Sequence, residues 1–143
     1  MKKTPKIILI VLAIILALFI ILMFIPIEPE LVFNETIMVS KESWKNYSFD
    51  VYELDDLDVQ IEASLPINIF LMTEEQYSRF ADKNSTGFSS ISEGSAGDVT
   101  AKSFKYRVPE DSTYYLILDN MGVVETGAVS VGAVEVKVQV IIS

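Results

Sequence analysis

The sequence predicts an all-β fold: an antiparallel β-sandwich, jelly-roll or immunoglobulin-like, with seven or eight strands and one short helix, behind a single N-terminal transmembrane helix. The first observation is that residues 7–27 form an apolar run without a charged residue. The second is that most of the remaining chain alternates apolar and polar residues with a period of two, as half-buried strands do. The third is that turn residues separate these segments, which is typical of an antiparallel sandwich.

The apolar run is long enough to cross a membrane, because about 20 apolar residues span the bilayer core as a helix. A cleaved signal peptide has a shorter apolar region of roughly 7 to 15 residues and a small-residue cleavage site. The sequence Pro-Ile-Glu-Pro-Glu at the end of this run contains no such site. A pilin-type leader would need a cut between the basic segment and the run, which Lys-Thr-Pro-Lys does not resemble. We therefore expect a retained anchor whose partner is membrane lipid.

Charge predicts the orientation of this anchor. Three lysines precede the run, and two glutamates follow it. The positive-inside rule keeps the lysines in the cytoplasm. The predicted protein is a single-pass plasma-membrane protein with a cytoplasmic basic tail (1–6), a transmembrane helix (7–27), a neck (28–30) and an extracytoplasmic β-sandwich domain (31–143).

The domain is predicted to contain strands joined by short turns, with one helical crossing. The segment Thr73-Glu-Glu-Gln matches a capping box, so we predict a short helix over Thr73–Asp82. Lys83–Gly97 is rich in Ser, Gly and Asn and is predicted to be an exposed loop. The predicted strands are Leu31–Val39, Asn46–Val51, Leu57–Ser64, Pro66–Met72, Val99–Val108, Thr113–Asn120, a weaker one within Gly122–Gly132, and Val134–Ile142.

The composition restricts the function. After the anchor the chain has 20 acidic and 8 basic residues, a net charge of −12. A nucleic-acid partner is not expected, because nucleic acid needs a basic face. The chain has neither cysteine nor histidine, so a Ser-His-Asp triad, a Cys-His pair and the usual zinc sites are excluded. A Ser-Lys or carboxylate mechanism stays open but has no motif, and we expect the protein not to be an enzyme.

Two segments carry a resemblance to known domains: PINIFLMTEEQYSRF, and, after a polar loop, FKYRVPEDSTYYLILDN. Tyr114, Leu116, Leu118 and Asn120 fit the later part of a G-x-Y-x-apolar-x-apolar-x-N strand, with Ser112 in place of the glycine. This pattern resembles GOLD-type (emp24-like) β-sandwiches and bacterial pre-peptidase C-terminal domains. The resemblance implies a sandwich fold and a binding role. Cargo transport is not implied, because the cysteine pair and C-terminal membrane helix of emp24-like proteins are missing.

The densest acidic cluster is a candidate metal site. Asp55, Asp56 and Asp58 follow Glu53 between two predicted strands, and calcium takes carboxylate and carbonyl oxygens as ligands. The alternative is a charged turn that keeps the strands soluble and blocks edge pairing. The alternative is favoured because the calcium-loop spacing, with its Gly and terminal Glu, is missing. Apart from this possible Ca²⁺, no cofactor is expected.

Two further kinds of site follow from short patterns. The sequons at Asn34, Asn46 and Asn84 predict N-glycosylation of an exterior domain, with coincidence as the alternative. Tyr114 and Tyr115 are adjacent, so in a strand they face opposite ways. We therefore predict Tyr115 as an outward, partner-binding residue, the alternative being a half-exposed tyrosine of the sandwich.

The function that these features favour is that of a cell-surface binding module, which contacts another envelope protein or a glycan through its sandwich. The alternative is a structural accessory subunit of a larger membrane complex or surface filament. The anchor has only Ala13 and Ala17 as a small-residue pair at spacing four, a weak packing motif. A surface hydrolase using carboxylates ranks third.

Overall fold

The fold is an antiparallel, mostly β structure with one apolar N-terminal helix and one short helix, which confirms the predicted fold class. The computed structural model describes residues 4–25, 29–121 and 130–143, so most of the weaker strand candidate within 122–132 lies outside them. The elements are α1 (Thr4–Met23), β1 (Glu30–Val39), β2 (Trp44–Val51), β3 (Asp56–Thr73), α2 (Glu74–Ala81), β4 (Ile91–Arg107), β5 (Ser112–Asp119) and β6 (Val134–Ile142).

Strand β3 organises the sheet. The strand order is β1-β6-β3-β5-β2, and β4 pairs with β3. The first half of β3 pairs with β6 and the second half with β5, while β4 follows both halves along the other edge. The sheet therefore curls into two layers. The first layer contains β1, β6 and residues 56–63 of β3 with 101–107 of β4; the second contains β2, β5 and residues 67–73 of β3 with 91–99 of β4.

The main core lies between these layers, because the apolar residues of each alternating strand point inward. Val59 and Ile61 of β3 and Val138 of β6 are at most 1% exposed. Along the edge of the sandwich where β1 and β2 lie near each other, Phe33 packs edge-to-face on Tyr47, with ring centroids 4.7 Å apart. The Tyr47 hydroxyl donates a 2.6 Å hydrogen bond to Glu35 Oε1, so a contact between β1 and β2 closes this side.

Two predicted strands, Leu57–Ser64 and Pro66–Met72, are one strand of 18 residues. Proline has no N–H to donate and is usually absent from the middle of a ladder. Pro66 lies where the register between β3 and β4 shifts, between Glu62 and Ile67. Proline is tolerated at such an irregularity, since no ladder hydrogen bond is required there. At this bend β3 passes from the first layer to the second. The two predicted strands are therefore the two halves of one bent strand.

The predicted loop Lys83–Gly97 is wrong in its second half, because β4 begins at Ile91. A Cβ atom on Gly94 would lie 2.4 Å from Leu71 Cβ, so glycine permits the close approach of β4 to β3. Ser95 Oγ accepts from Leu71 N at 3.2 Å and donates to Ile91 O at 2.7 Å. The Ser and Gly content therefore reflects an irregular strand, in which a side chain replaces part of the backbone ladder.

The predicted short helix is confirmed as α2. Thr73 is its N-cap, and Thr73 Oγ1 accepts from Gln76 N at 3.3 Å. The Gln76 side chain accepts in return from Thr73 N at 3.0 Å, which completes the capping box. Glu74 and Glu75 lie in the first turn and Arg79 in the last, so all three charges suit the helix dipole.

Helix α1 is long and apolar enough to cross a membrane over Pro5–Met23, and none of this window is buried by the protein. It begins three residues before the predicted span and ends four residues before its predicted end. Residues 26–28, which the prediction assigned to the end of the span and the neck, lie outside the described residues. Strand β1 begins at Glu30, one residue before the predicted first strand.

Asn120 joins the strand ends at one end of the sandwich. Its side chain is buried, and Nδ2 donates to Val39 O at 3.2 Å, Ser40 O at 3.1 Å and Gly132 O at 2.8 Å. Its backbone N–H donates to Ser43 O at 2.9 Å. One residue after β5 therefore holds the end of β1, the start of β2 and the approach to β6.

We expect Asn120→Ala to lower the free energy of unfolding by about 2 kcal/mol, because it leaves buried carbonyl groups without a donor. Asn120→Asp should cost more, since a carboxylate would face three carbonyl oxygens. Urea titration in detergent, followed by the fluorescence of Trp44, measures both. Asn46→Ala, at an exposed position on β2, is the control and should stay within about 0.5 kcal/mol of the wild type. An Asn120→Ala protein as stable as this control would contradict the assignment.

Candidate functional site

The acidic cluster lies at the start of β3, where its side chains have protein partners. Asp55 Oδ2 accepts from Tyr52 N at 2.9 Å. Asp56 lies 3.6 Å from Arg107 Nε, and Asp58 lies 3.5 Å from Lys105 Nζ, both across the β3–β4 ladder. Among residues 4–25, 29–121 and 130–143, no three acidic side chains form a group that could hold a metal ion. The calcium site is therefore an untested prediction without geometric support.

The three sequons lie on different parts of the fold, and all three asparagines are exposed. Asn34 lies on β1 and Asn46 on β2, both exposed. Asn84 lies in the turn after α2, and its backbone N–H donates to Asp82 Oδ1 at 2.9 Å. Glycosylation at these positions stays a prediction that the structure does not test.

Tyr114 and Tyr115 face opposite ways, as alternation requires. Tyr114 is 1% exposed in the main core. Tyr115 points out of the second layer and stacks on Tyr77 of α2, with ring centroids 4.0 Å apart and an interplanar angle of 6°. Its ring is therefore half-buried beneath the helix, and its predicted role in partner binding is untested.

The outer side of the second layer carries a second, smaller core, which α2 covers. Trp44 packs edge-to-face on Phe80, with ring centroids 5.1 Å apart. Phe70 makes the same kind of contact with Phe88, also at 5.1 Å. The buried centre and the residues packed against it are Phe70, Met72, Ile117, Trp44, Tyr77, Phe80 and Tyr115. This face of the sandwich is therefore occupied by the protein's own residues.

We expect Tyr115→Ala to destabilise the domain by about 2 kcal/mol, because it removes both the stacking on Tyr77 and buried apolar area. Tyr115→Phe keeps the ring and should change the free energy of unfolding by less than about 0.5 kcal/mol. Thermal unfolding monitored at Trp44, which belongs to the same cluster, gives the comparison. Equal midpoints for the alanine and phenylalanine variants would show that the stack contributes nothing.

A buried polar pair, which the sequence analysis missed, lies beside this second core. Asp119 and Asn68 are opposite each other on β5 and β3, and both are 0% exposed. Asn68 Nδ2 donates to Asp119 Oδ2 at 3.2 Å, and Met121 N donates to Asp119 Oδ1 at 3.0 Å. Asn68 Oδ1 accepts from Asp98 N at 3.1 Å. The only sign of this pair in the sequence is weak: the apolar run Leu-Ile-Leu is followed directly by the polar residues Asp119 and Asn120.

Desolvation by burial raises the pKa of Asp119, while its bonds from Asn68 and Met121 act in the opposite direction. At pH values between the ordinary Asp pKa of about 4 and the raised pKa of Asp119, the folded state binds more protons than the unfolded state. The free energy of unfolding contributed by this group therefore rises as the pH falls through that window.

We expect the wild type to gain stability relative to Asp119→Asn as the pH is lowered from 7 towards 4, because only the wild type has the Asp119 carboxyl group that takes up a proton. Urea titrations at several pH values measure this difference. Ser48→Ala, at an exposed position on β2 without a titratable side chain, is the control and should show no such trend. A pH-independent difference for Asp119→Asn would contradict the raised pKa.

The outer side of the first layer, here called the open face, is not covered by α2, which packs on the second layer. Direct cross-strand partners form rows across its four strands. One row is Leu31, Ile141, Asp58 and Lys105; the next is Asn34, Gln139, Gln60 and Ser103; the third is Thr36, Lys137, Glu62 and Ala101. The middle row is uncharged, and charged residues occur in both neighbouring rows.

A shallow depression of about 190 Å³ lies between the middle and third rows, lined by Asn34, Gln60 and Gln139 of the one, Glu62 and Lys137 of the other, and Val138. Amide groups both donate and accept hydrogen bonds. Since the strands place these side chains side by side on rigid backbone, the face can hold a polar ligand by several hydrogen bonds at once.

Comparison with known proteins shows a fold but no family. No protein-family model matches the chain, and no curated protein matches it. Among solved structures, the chain is similar to Aeromonas hydrophila PliG, a periplasmic lysozyme inhibitor of g-type lysozyme, with a TM-score of 0.55 and 13% identity over 78% of this chain and 85% of that one. At this identity the likeness shows that the two share a fold.

Two other structures match less closely. Salmonella Typhimurium PliG has a TM-score of 0.41 and 13% identity over 77% of this chain and 89% of its own. The pre-peptidase C-terminal domain of a Bacillus anthracis collagenase has a TM-score of 0.37 and 17% identity over 73% of this chain and 88% of its own. This structure is of one of the two domain types that the sequence resembles. A GOLD-type relationship is not shown.

Proposed function

We propose that the protein is a membrane-anchored binding module, which presents its β-sandwich outside the plasma membrane and contacts another envelope component through the open face. Two features of the same chain support the proposal. The apolar helix α1 is not buried by the protein, and α2 covers the outer face of the second layer of the β domain but leaves the open face of the first layer uncovered. The first feature supports attachment to a membrane, and the second leaves a surface for a partner.

The shared fold gives further support. The Aeromonas hydrophila structure is that of a periplasmic inhibitor of g-type lysozyme, so this fold occurs in a protein that acts on another protein outside the cytoplasm. The partner of the present chain is proposed only by class, as an envelope protein or a glycan. The absence of His and Cys from the sequence supports binding rather than catalysis, because the commonest catalytic groups are missing.

The second candidate is a structural accessory subunit of a larger membrane complex or filament. Such a subunit would pack its transmembrane helix against fixed neighbours, for which small residues at spacing four are favourable. The single Ala13–Ala17 pair is modest support. The two proposals differ in where the stable contact forms: at the helix in a subunit, at the open face in a binding module.

Protease added to intact cells should remove the domain and leave a fragment containing residues 1–25 in the membrane. The reason is that the lysines hold the N-terminus in the cytoplasm. Immunoblotting with tags at the two ends measures this, with a cytoplasmic protein as the control for cell integrity. Protection of the C-terminal tag, or recovery of the whole domain in the medium, would contradict an uncut anchor in this orientation.

The same cells distinguish the two candidates by site-specific photocrosslinking. A photoreactive residue in place of Ser103, on the open face, should capture the partner of a binding module. One in place of Ser48, which is exposed on the second layer, is the matched control. Adducts that form at Ala13 or Ala17 within the helix, but at neither of these positions, would favour the accessory subunit.

A further inference from the structure

The open face has one property that no single strand shows: its central row is uncharged across all four strands. Asn34, Gln139, Gln60 and Ser103 are successive direct partners in the β1-β6-β3-β4 ladder. Neighbouring strands are about 4.8 Å apart, so the row extends over ~14 Å. Since the chain after the anchor has a net charge of −12, such a row is a distinct chemical feature.

The charges beside this row are matched in sign. Asp58 lies 3.5 Å from Lys105 in one neighbouring row, and Lys137 is the direct partner of Glu62 in the other. The face therefore offers neutral amide and hydroxyl groups between locally balanced charges. The ligand that complements it is uncharged and carries many hydroxyl groups, since each amide can donate to one hydroxyl oxygen and accept from another. An acidic ligand would be repelled by the domain as a whole.

A protein partner fits this face less well. The anchors of protein interfaces are mainly Trp, Tyr and Arg side chains in desolvated pockets. None of the three rows contains an aromatic residue or an arginine, and the depression between the middle and third rows is shallow.

We propose that the row Asn34, Gln139, Gln60 and Ser103, in a chain whose Asn34 side chain carries no attached glycan, binds a neutral glycan chain laid across the four strands. This inference rests on the proposed function and narrows its partner to one class. The row lies across the strands at a repeat close to the length of one pyranose unit in an extended glycan, so successive sugars would meet successive side chains. The binding is by hydrogen bonds at the sugar edges, without aromatic stacking.

Binding is tested with the full chain in lipid nanodiscs, titrated calorimetrically with chitohexaose, cellohexaose and maltohexaose as neutral probes. We expect at least one to bind, and the double variant Gln60→Ala/Gln139→Ala to weaken it at least tenfold. Both side chains point out of the sandwich, so the thermal midpoint should be unchanged. Asn46→Ala/Ser48→Ala, which removes a similar pair from the second layer, is the matched control and should bind normally. Hexagalacturonate, an acidic probe, should not bind.

Failure of all three neutral probes to bind the wild type overturns the inference, as does binding that the Gln60→Ala/Gln139→Ala variant retains. If that variant instead loses a protein crosslinked at Ser103, the face belongs to a protein partner. The glycan inference then fails while the proposed binding function stands. If Ser103 captures no partner and no probe binds, both fail together.

Discussion

The continuous pairing of β3 is the constraint on which the rest of the domain depends. Its 18 residues contribute to both layers, and it is paired with β4 along one edge and with β6 and then β5 along the other. Each layer alone would be a small sheet with an exposed apolar side. Because one strand belongs to both, the inward residues of the two layers are brought together by backbone hydrogen bonds as well as by burial. Pro66 and the register shift beside it supply the bend, and Gly94 lets β4 approach β3 closely after it.

The two outer faces differ for a reason that lies in local sequence. Beyond the bend, the outward residues of β3 include Phe70 and Met72 and those of β5 include Ile117, all three buried. These need a cover, and α2, capped by Thr73 directly at the end of β3, supplies it. Before the bend, the outward residues of β3 are Asp58, Gln60 and Glu62, which are stable in water. The same strand therefore requires a helix over one half and allows an open surface over the other.

The sequence predicts the elements better than it predicts their partners. The period-two alternation identifies the strands, and the Thr-x-x-Gln pattern identifies α2, because both are local effects of backbone geometry. The prediction fails at Pro66 and in the segment 91–97, where residues typical of turns form a bent or irregular strand that only the neighbouring strand explains. The uncharged row could not be predicted at all. Each strand contributes one of its residues, and their alignment depends on long-range registers that no local pattern encodes.

The buried polar residues show where that long-range order is most specific. An apolar residue could fill the site of Asp119 or Asn120 without a desolvation cost. In this fold, however, each polar side chain joins segments distant in sequence: Asn120 bonds carbonyl groups before β2 and before β6, and Asn68 links Asp119 to the β4 backbone. Such bonds are satisfied only when β3, β4 and β5 adopt one register, whereas apolar contacts tolerate slippage by two residues. The bonds therefore fix the register of β3 with β5 and with the first part of β4 in the second layer.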